Sequence, residues 1–278
     1  MKTKAILAAL MLMVCGMASA QKFMNVKTAE GKYVSFKVTP ELKVTWDSTP
    51  QAATPIENAL PGKFNVGDDK YVYFSKGNLY YNGTDFCFEE NQYSIATTWN
   101  TSHVSNFHWA ENPAVAYAIS YNNSDAAAET VLFTNKEGFT VAGQTDVWVT
   151  LTKAEWIYLF EHYASKNMSV CSKNGVVIAP AGVTNEDIPD SYDADTWAKA
   201  ESEGFVFLPS TGYRTGSGIT NSSSEFIYWG STPKDDDEAD RLLFKPDGTQ
   251  NYNTTGYKYW GAGIRLVTTQ STPNIINE

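Results

Sequence analysis

Short strand-like segments separated by turn residues recur along most of this chain, and they restrict its fold more than any other feature. Runs of apolar and aromatic residues bounded by glycine, proline or asparagine are typical of short β-strands. These runs cover residues 71–74, 78–81, 86–88, 176–179, 205–209, 226–229, 241–244 and 264–267. Asn82 and Gly83 stand between two of them and predict a hairpin turn. The pattern therefore predicts a chain built mainly of short strands.

One segment near the middle of the chain carries the signature of a helix instead. Thr152 and Glu155 have the spacing of a capping box, in which each side chain accepts a hydrogen bond from the other residue's backbone amide. Leu151 and Trp156 flank this cap as a hydrophobic staple. A single apolar face follows at helical spacing and consists of Trp156, Leu159, Phe160 and Tyr163. The sequence therefore predicts a helix that begins after Thr152.

A second helix is predicted over residues 195–203, with Trp197 facing inward. Asp193 or Asp195 is suited to cap its first turn. Gly204 is suited to end it, because glycine adopts the left-handed conformation without a steric penalty. Strands, two helices and then further strands are the composition of an α+β fold.

The first twenty residues have the order of an export signal. Lys2 and Lys4 precede an apolar run over residues 5–14, and the small residues 18–20 form a cleavage site before Gln21. The apolar run is too short to span a bilayer, and no later run is long enough. We therefore expect an exported chain without a membrane span, located in the periplasm, at the cell surface or outside the cell.

Lipidation at Cys15 is the alternative form of export. A lipoprotein peptidase prefers smaller residues than the Met13 and Val14 that precede this cysteine. Cleavage before Gln21 is therefore the preferred interpretation.

Composition shifts divide the remainder into segments. Residues 21–46 contain alternating strand-like stretches, at 23–28, 33–38 and 42–46, and predict a small β unit. Residues 47–62 are rich in proline, alanine and threonine without periodicity and predict a linker. The main domain is expected over residues 63–268, followed by a flexible tail at 269–278.

The charge of the chain bears on its partners. It has 21 basic and 31 acidic residues, a net charge of −10 and a pI near 4.8. Nucleic-acid binding requires a basic face to neutralise phosphates. Nucleic acid is therefore not an expected partner.

Cysteines and histidines do not form a recognisable catalytic motif. Cys87 and Cys171 either pair, as exported proteins allow, or remain separate thiols. The chain contains no nucleophile elbow, phosphate-binding glycine loop or zinc-binding helix motif. The histidines are scattered, at His103, His108 and His162. No catalytic residues are predicted.

The densest charge is the acidic run at residues 235–238, followed by Asp240. A solvated loop between strands is the preferred interpretation. Calcium binding through Asp235, Asp237 and Asp240 is the alternative, because calcium takes several carboxylate oxygens. The acidic run lacks the glycine and spacing of a calcium loop. No cofactor is therefore predicted, with calcium as the alternative.

Aromatic residues are abundant, at 14% of the chain, and many lie near turns in its last fifty positions. Tyrosine and tryptophan bury large areas at a low entropic penalty, which favours them in binding surfaces. These residues are equally consistent with a core and with an exposed platform.

Four ordered blocks resemble a known superfamily. They are LTKAEWIYLF at 151–160, FVFLPSTGYRTGSG at 205–218, YWGST at 228–232 and GAGIRLV at 261–267. Together they resemble the C-type-lectin-like superfamily of sulfatase-modifying (formylglycine-generating) proteins. The opening at residues 62–81 is similar to its secreted bacterial relatives, the major-paralogous-domain proteins of gut bacteria and the variable proteins of diversity-generating retroelements. The resemblance covers residues 62–267.

This resemblance implies a C-type-lectin-like domain with two main helices and several short antiparallel sheets. It implies helix and core roles for Glu155 and Trp156, and a structural ion pair for Arg265. The enzymes of the superfamily use a late cysteine pair, whereas the last cysteine here is Cys171. The sugar-binding calcium triplets of C-type lectins are also missing from the sequence. The resemblance therefore implies a scaffold without that chemistry.

The leading hypothesis is an exported, non-catalytic module that binds an unknown protein or glycan through a loop-built surface. That surface is expected over residues 213–235 and 249–260. Its candidate residues are Tyr213, Arg214, Tyr228, Trp229, Tyr252, Tyr257 and Trp260, of which Trp229 is the most typical of a core residue. The alternatives are a carbohydrate-binding lectin or adhesin and, less favoured, a formylglycine-generating-like oxidase.

Overall fold

The computed structural model describes residues 23–27, 33–37, 54–245 and 250–272, with the side chains of residues 23–27, 33–37, 54–55, 250, 252 and 271–272 left out of the description. The chain divides into two compact units, one of residues 1–52 with 274–278 and one of residues 53–273.

The first unit contains an antiparallel pair of strands, β1 (Phe23–Lys27) and β2 (Tyr33–Lys37). Phe23 lies opposite Lys37 and Lys27 opposite Tyr33. Two strands of the predicted small β unit are therefore confirmed, whereas the predicted third strand at 42–46 lies outside the described residues.

The second unit consists mostly of short strands. In chain order they are β3 (Thr54–Pro55), β4 (Ala59–Asn65), β5 (Tyr71–Ser75), β6 (Leu79–Tyr81), β7 (Phe86–Phe88), β8 (Phe107–His108), β9 (Thr140–Val141), β10 (Gln144–Thr145), β11 (Val149–Thr150), β12 (Ser165–Val170), β13 (Lys173–Ile178), β14 (Ser191–Tyr192), β15 (Val206–Pro209), β16 (Tyr213–Thr215), β17 (Gly218–Thr220), β18 (Phe226–Pro233), β19 (Glu238–Phe244), β20 (Gln250–Tyr257), β21 (Gly261–Ala262), β22 (Leu266–Thr268) and β23 (Ser271–Thr272).

Four α-helices accompany these strands in the described part of the chain. They are α1 (Pro113–Ala116), α2 (Asn123–Ala126), α3 (Lys153–His162) and α4 (Ala194–Ser202). Short 3-10 turns cover Phe133–Asn135 and Asn185–Asp187. The fold class is therefore mixed α+β with a large majority of strand, as the element order predicted.

The strands form several small sheets rather than one large one. Three sheets have four strands, in the orders β11-β22-β5-β4, β14-β12-β13-β15 and β17-β16-β21-β8. A three-stranded sheet has the order β18-β19-β20, and the pairs are β10-β9, β23-β3 and β6-β7. Nearly all neighbours are antiparallel, with a short parallel contact between β12 and β14. The predicted hairpin across Asn82 and Gly83 is the β6-β7 pair.

The predicted cap of α3 is confirmed. The Thr152 hydroxyl accepts from the Glu155 amide at 3.3 Å, and the Glu155 carboxylate accepts from the Thr152 amide at 2.7 Å. Leu151 and Trp156 are both buried in the same apolar cluster, as a staple requires. The helix therefore begins where its local sequence directs.

The second predicted helix, α4, is confirmed with its start one residue earlier than predicted. Asp193 caps it by accepting from the Thr196 amide at 2.9 Å. Gly204 follows the helix with a φ of +100°, the left-handed conformation expected of a glycine stop. Trp197 is buried as predicted.

The core of the second unit has three apolar clusters, and β18 separates two of them. Phe226 and Tyr228 belong to the cluster around α3, whereas Ile227 and Trp229 belong to the cluster around β8. The third cluster packs α4 against the β12-β13-β15 strands. Both faces of β18 are therefore buried from Phe226 to Gly230.

Two predicted boundaries differ from the structure. Residues 54–62 were predicted as part of a linker, yet β3 and most of β4 lie there. Residues 271–272 were predicted as tail, yet they form β23 and pair with β3. β3 and β23 pair with each other from opposite ends of the unit, and local composition does not indicate a partner so far away in the chain.

Arg265 was expected to form an ion pair. Its guanidinium instead donates to the Asn78 carboxamide oxygen at 3.2 Å and to the Gln92 carboxamide oxygen at 2.6 Å. No ion pair of the described residues includes it. Burial lowers the pKa of Arg265 to about 10, so the group remains charged at neutral pH.

None of the helices in the described part of the chain has the length and apolar character needed to cross a bilayer.

Candidate functional site

Four aromatic side chains form a connected surface cluster, which we call the aromatic platform: Tyr213, Tyr257, Tyr259 and Trp260. Tyr213 begins β16 and Tyr257 ends β20, while Tyr259 and Trp260 lie in the turn before β21. The Trp260 amide donates to the Tyr257 carbonyl at 2.9 Å and closes this turn. Strands and a closed turn therefore hold all four residues.

The rings of the platform contact one another in two orientations. Tyr213 stacks on Trp260 with 5.0 Å between ring centroids, and Tyr257 stacks on Tyr259 at 5.2 Å. Tyr257 meets Trp260 edge to face at 5.3 Å. These are favourable aromatic geometries. Tyr257 is 39% exposed and the other three are half-buried. The rings are therefore held by contacts with one another and still present part of their surface to solvent.

Arg241 adds a positive charge to the platform. Its guanidinium carbon lies 5.3 Å from the centre of the Trp260 ring, within the range of a cation–π contact. Gly256 makes room for it, because a Cβ there would lie 2.8 Å from Arg241 Cδ. The Arg241 Nε–H is buried without a hydrogen-bond partner, and no ion pair of the described residues includes this arginine. The platform therefore includes a guanidinium that makes no direct ion pair with a described residue, although the charges of Glu225 and Glu238 favour its charged form.

Arg214 lies behind the platform rather than on it, which corrects its prediction as a ligand contact. It is fully buried, and its guanidinium donates to the carbonyls of Asn106 at 3.0 Å, Ala118 at 3.0 Å and Gly216 at 2.8 Å. Burial lowers its pKa to about 10. Arg214 therefore ties β16 to neighbouring backbone and supports Tyr213 from within.

Tyr228 and Trp229 were also predicted as ligand contacts, and both are core residues. The Tyr228 hydroxyl donates to the Pro209 carbonyl at 2.9 Å, and Trp229 Nε1 donates to the Phe107 carbonyl at 2.7 Å. Their exposed fractions are 0% and 1%. Neither side chain reaches solvent, because β18 is covered on both faces.

The structure therefore brings together Tyr213, Tyr257 and Trp260 from the predicted set. The side chain of Tyr252 is not among the described ones. Arg241 was missed, although a cation in the apolar run at 241–244 was a usable signal. Tyr259 is also one of the aromatic residues near turns in the last fifty positions, but it was not chosen as a site residue.

The three calcium candidates are not brought together. The Asp240 carboxylate is buried and accepts from Lys153 Nζ at 3.2 Å. Asp235 accepts from the amides of Asp237 and Glu238 at 3.0 and 2.8 Å, as a local turn does. Across the residues that the structure describes, no three histidine, cysteine or acidic side chains are arranged to share one metal ion.

Cys87 and Cys171 are both free thiols, so the disulfide alternative is wrong. Cys87 lies in β7 and accepts a hydrogen bond from the Asn82 amide group at 3.4 Å. Cys171 follows β12 at the turn into β13 with a positive φ of 48°. One thiol lies in a strand and the other in a turn of a different sheet's hairpin, which agrees with the separate-thiol interpretation.

One histidine participates in a polar cluster that the sequence did not indicate. His103 Nε2 lies 2.7 Å from the Glu89 carboxylate, and its ring stacks on Tyr80 at 4.6 Å. Burial raises the pKa of Glu89, and the nearby His103 opposes that rise. The contact fastens the loop after Asn100 to the β6-β7 hairpin.

His108 is buried beside the platform. Its Nε2 donates to the Ala118 carbonyl at 3.1 Å, and its exposed fraction is 1%. Burial, and secondarily the charge of Arg214, lower its pKa from 6.5 to about 4. The ring is therefore neutral in the folded protein at neutral pH.

This low pKa predicts acid destabilisation through His108. In the unfolded chain His108 takes up a proton as the pH falls below 6.5, whereas in the folded protein it does so only near pH 4. The free energy of unfolding therefore falls as the pH falls from 6.5 to 4. The loss approaches about 3 kcal/mol of the free energy of unfolding. Denaturant titrations across this range should show a shallower pH dependence for His108→Gln than for the unmodified chain.

The matched control is His162→Gln, because His162 is exposed. This control should keep the pH dependence of the unmodified protein. If the free energy of unfolding depends on pH equally in His108→Gln and in the unmodified protein, His108 is not the source of the acid destabilisation.

Comparison of the chain with protein-family models, with curated proteins and with solved structures finds no match.

Proposed function

We propose that this chain is an exported, non-catalytic binding module that holds a protein or glycan ligand on the aromatic platform. The proposal includes a C-type-lectin-like scaffold related to the sulfatase-modifying superfamily. It is supported by the four ordered sequence blocks and by a fold that combines two main helices with several small antiparallel sheets.

The observation that carries the proposal is the platform itself. Four aromatic rings from β16, β20 and one closed turn are partly exposed in mutual contact, and Arg241 lies against them. Tyrosine, tryptophan and arginine dominate the binding energy of protein interfaces. Their flat faces also stack on ligand rings. A rigid cluster of these residue types loses little conformational freedom on binding.

The buried arginine behind the platform supports the same role. Arg214 connects the strand that carries Tyr213 to the backbone at Asn106 and Ala118. A binding surface held by such contacts is preorganised, which favours affinity. We therefore assign Arg214 a positioning role and assign ligand contact to Tyr213, Tyr257, Trp260 and Arg241.

Replacing Tyr257 by alanine is expected to weaken ligand capture by about thirtyfold or more, the loss typical of a truncated hot-spot aromatic. Thermal stability should change little, because 39% of this side chain already faces solvent. Two measurements test this. The protein is applied to a glycan array, and the immobilised protein is used to select from a displayed-peptide library, each with and without a calcium chelator.

Tyr71→Ala is the matched control. Tyr71 is a tyrosine of similar exposure, at 43%, that lies on β5 and contacts Lys63 rather than the platform. Capture by this variant should equal that of the unmodified protein. If neither array yields a captured ligand, or if Tyr257→Ala captures as well as Tyr71→Ala, the platform is not the binding site.

A further inference from the structure

Apart from the aromatic platform, the surface has a cavity between the β12-β13 hairpin and the start of β18. Its volume is about 220 Å³, and its floor is the stacked pair Phe226 and Phe244, whose ring centroids are 4.0 Å apart. Residues from five different segments, including Ser169 of β12 and Ser210 after β15, line it. We call this cavity the polar groove.

Asn167 lines the polar groove, and its side-chain oxygen is a hydrogen-bond acceptor without a partner among the described residues. Its amide nitrogen donates to the Lys245 carbonyl at 3.2 Å, which fixes the orientation of the carboxamide. The opposite atom, Asn167 Oδ1, is buried and has no hydrogen-bond partner. A buried carbonyl oxygen without a partner costs about 1–3 kcal/mol, so a ligand hydroxyl that donates to it would remove that penalty.

The other polar groups of the groove are unused as well. The hydroxyls of Ser169, Ser210 and Ser224 have no hydrogen-bond partner among the described residues, although Ser210 is only 2% exposed. The Lys245 ammonium likewise forms no ion pair with any described residue. Buried polar groups are normally paired, and of the groove's polar atoms Asn167 Oδ1 is the one that is buried without a partner among the described residues. This acceptor, in a cavity otherwise lined by hydroxyls and an ammonium that bond to no described residue, therefore marks a place suited to a polar occupant.

The mixture of groups restricts the chemistry of that occupant. Serine hydroxyls both donate and accept, Asn167 Oδ1 only accepts, and Lys245 only donates. None of the described residues that line the groove is acidic, although the chain contains 31 acidic residues. Its floor is aromatic, so the ligand also needs an apolar face. Hydroxyl groups around a ring with apolar C–H faces meet all of these requirements.

We propose that the polar groove binds one saccharide unit, free or at the end of a glycan. Small-molecule sites usually have volumes of about 300–1,000 Å³, and this one is smaller. It therefore suits a single sugar ring rather than an oligosaccharide. Asn167 Oδ1 accepts from a ring hydroxyl, the three serines exchange hydrogen bonds with others, and Lys245 donates at the mouth. This site is separate from the aromatic platform.

The test is binding of free monosaccharides to the full chain by saturation-transfer NMR and calorimetry. The probes are glucose, galactose, mannose, N-acetylglucosamine and glucuronic acid, with sulfate as a simple anion. We expect saturable millimolar binding of at least one sugar. Ser169→Phe should weaken it by at least about tenfold, because the ring fills the groove. This change removes no hydrogen bond to a described residue, since the Ser169 hydroxyl forms none with them.

Ser191→Phe is the matched control, because Ser191 lies beside Ser169 on β14, is exposed and does not line the groove. It should bind sugar normally. Tyr257→Ala should do so too, which separates this site from the platform. The proposal is overturned if no sugar binds, if sulfate alone binds, or if Ser169→Phe binds as well as Ser191→Phe.

Discussion

The Trp229→Ala protein is expected to lose about 3–5 kcal/mol of its free energy of unfolding. Trp229 is 1% exposed and packs in the apolar cluster around β8. Truncation would leave a large cavity and would also leave the Phe107 carbonyl without the indole N–H that it now accepts at 2.7 Å. The loss should be measured by denaturant titration at neutral pH, where the midpoint moves and the slope stays constant.

Two further variants sharpen this test. Trp229→Phe keeps most of the ring but loses the indole hydrogen bond, so its loss should be clearly smaller, at about 1–2 kcal/mol. Tyr257→Ala on the aromatic platform should change stability by no more than about 1 kcal/mol. If the Trp229→Ala protein is as stable as the unmodified protein but no longer captures ligand, Trp229 is a ligand contact and not a core residue.

The Gln92→Ala protein is expected to be destabilised by about 3–5 kcal/mol, because several buried hydrogen bonds would be lost together, including one to a cation and one to a carboxylate. Gln92 is fully buried. Its carboxamide oxygen accepts from Arg265 at 2.6 Å and from the Phe207 amide at 2.8 Å. Its amide nitrogen donates to the Glu201 carboxylate at 2.8 Å. One side chain therefore connects α4, β15 and the segment before β22.

Gln270→Ala provides the comparison, because Gln270 is exposed and its side chain has no hydrogen bond with a described residue. Its effect should stay within about 0.5 kcal/mol. Thermal and denaturant unfolding of both variants would decide the matter. Equal stability of Gln92→Ala and Gln270→Ala would show that Arg265 does not depend on this carboxamide.

The elements that could be predicted are those whose cause lies within a few residues. The cap of α3 needs only Thr152 and Glu155, and the stop after α4 needs only Gly204. The β6-β7 hairpin follows from the Asn82-Gly83 turn between two apolar runs. By contrast, β3 and β23 hold each other across more than two hundred residues, and no local pattern marks such a pair.

The sequence predicted which residue types form the candidate site, but not which of those side chains face solvent. The aromatic residues near the end of the chain did indicate a cluster, and three of the chosen side chains form the aromatic platform. Tyr228 and Trp229 were misassigned because alternation identifies an exposed face only when one side of a strand meets water. In β18 both sides meet apolar clusters.

Local sequence is enough to predict most of the short strands, the two main helices with their caps, the acidic charge and the shortage of catalytic motifs, because each depends on neighbouring residues or on composition. Packing fixes which aromatic rings face solvent, the burial of Arg214 and Arg265, and the burial of the unpartnered Asn167 carboxamide oxygen beside one groove. Those outcomes depend on contacts between residues far apart in the chain, such as Arg265 with Asn78 and Arg214 with Asn106. Packing of distant segments sets the solvent exposure and the hydrogen-bond partners of a side chain, and both properties are undefined until the chain has folded.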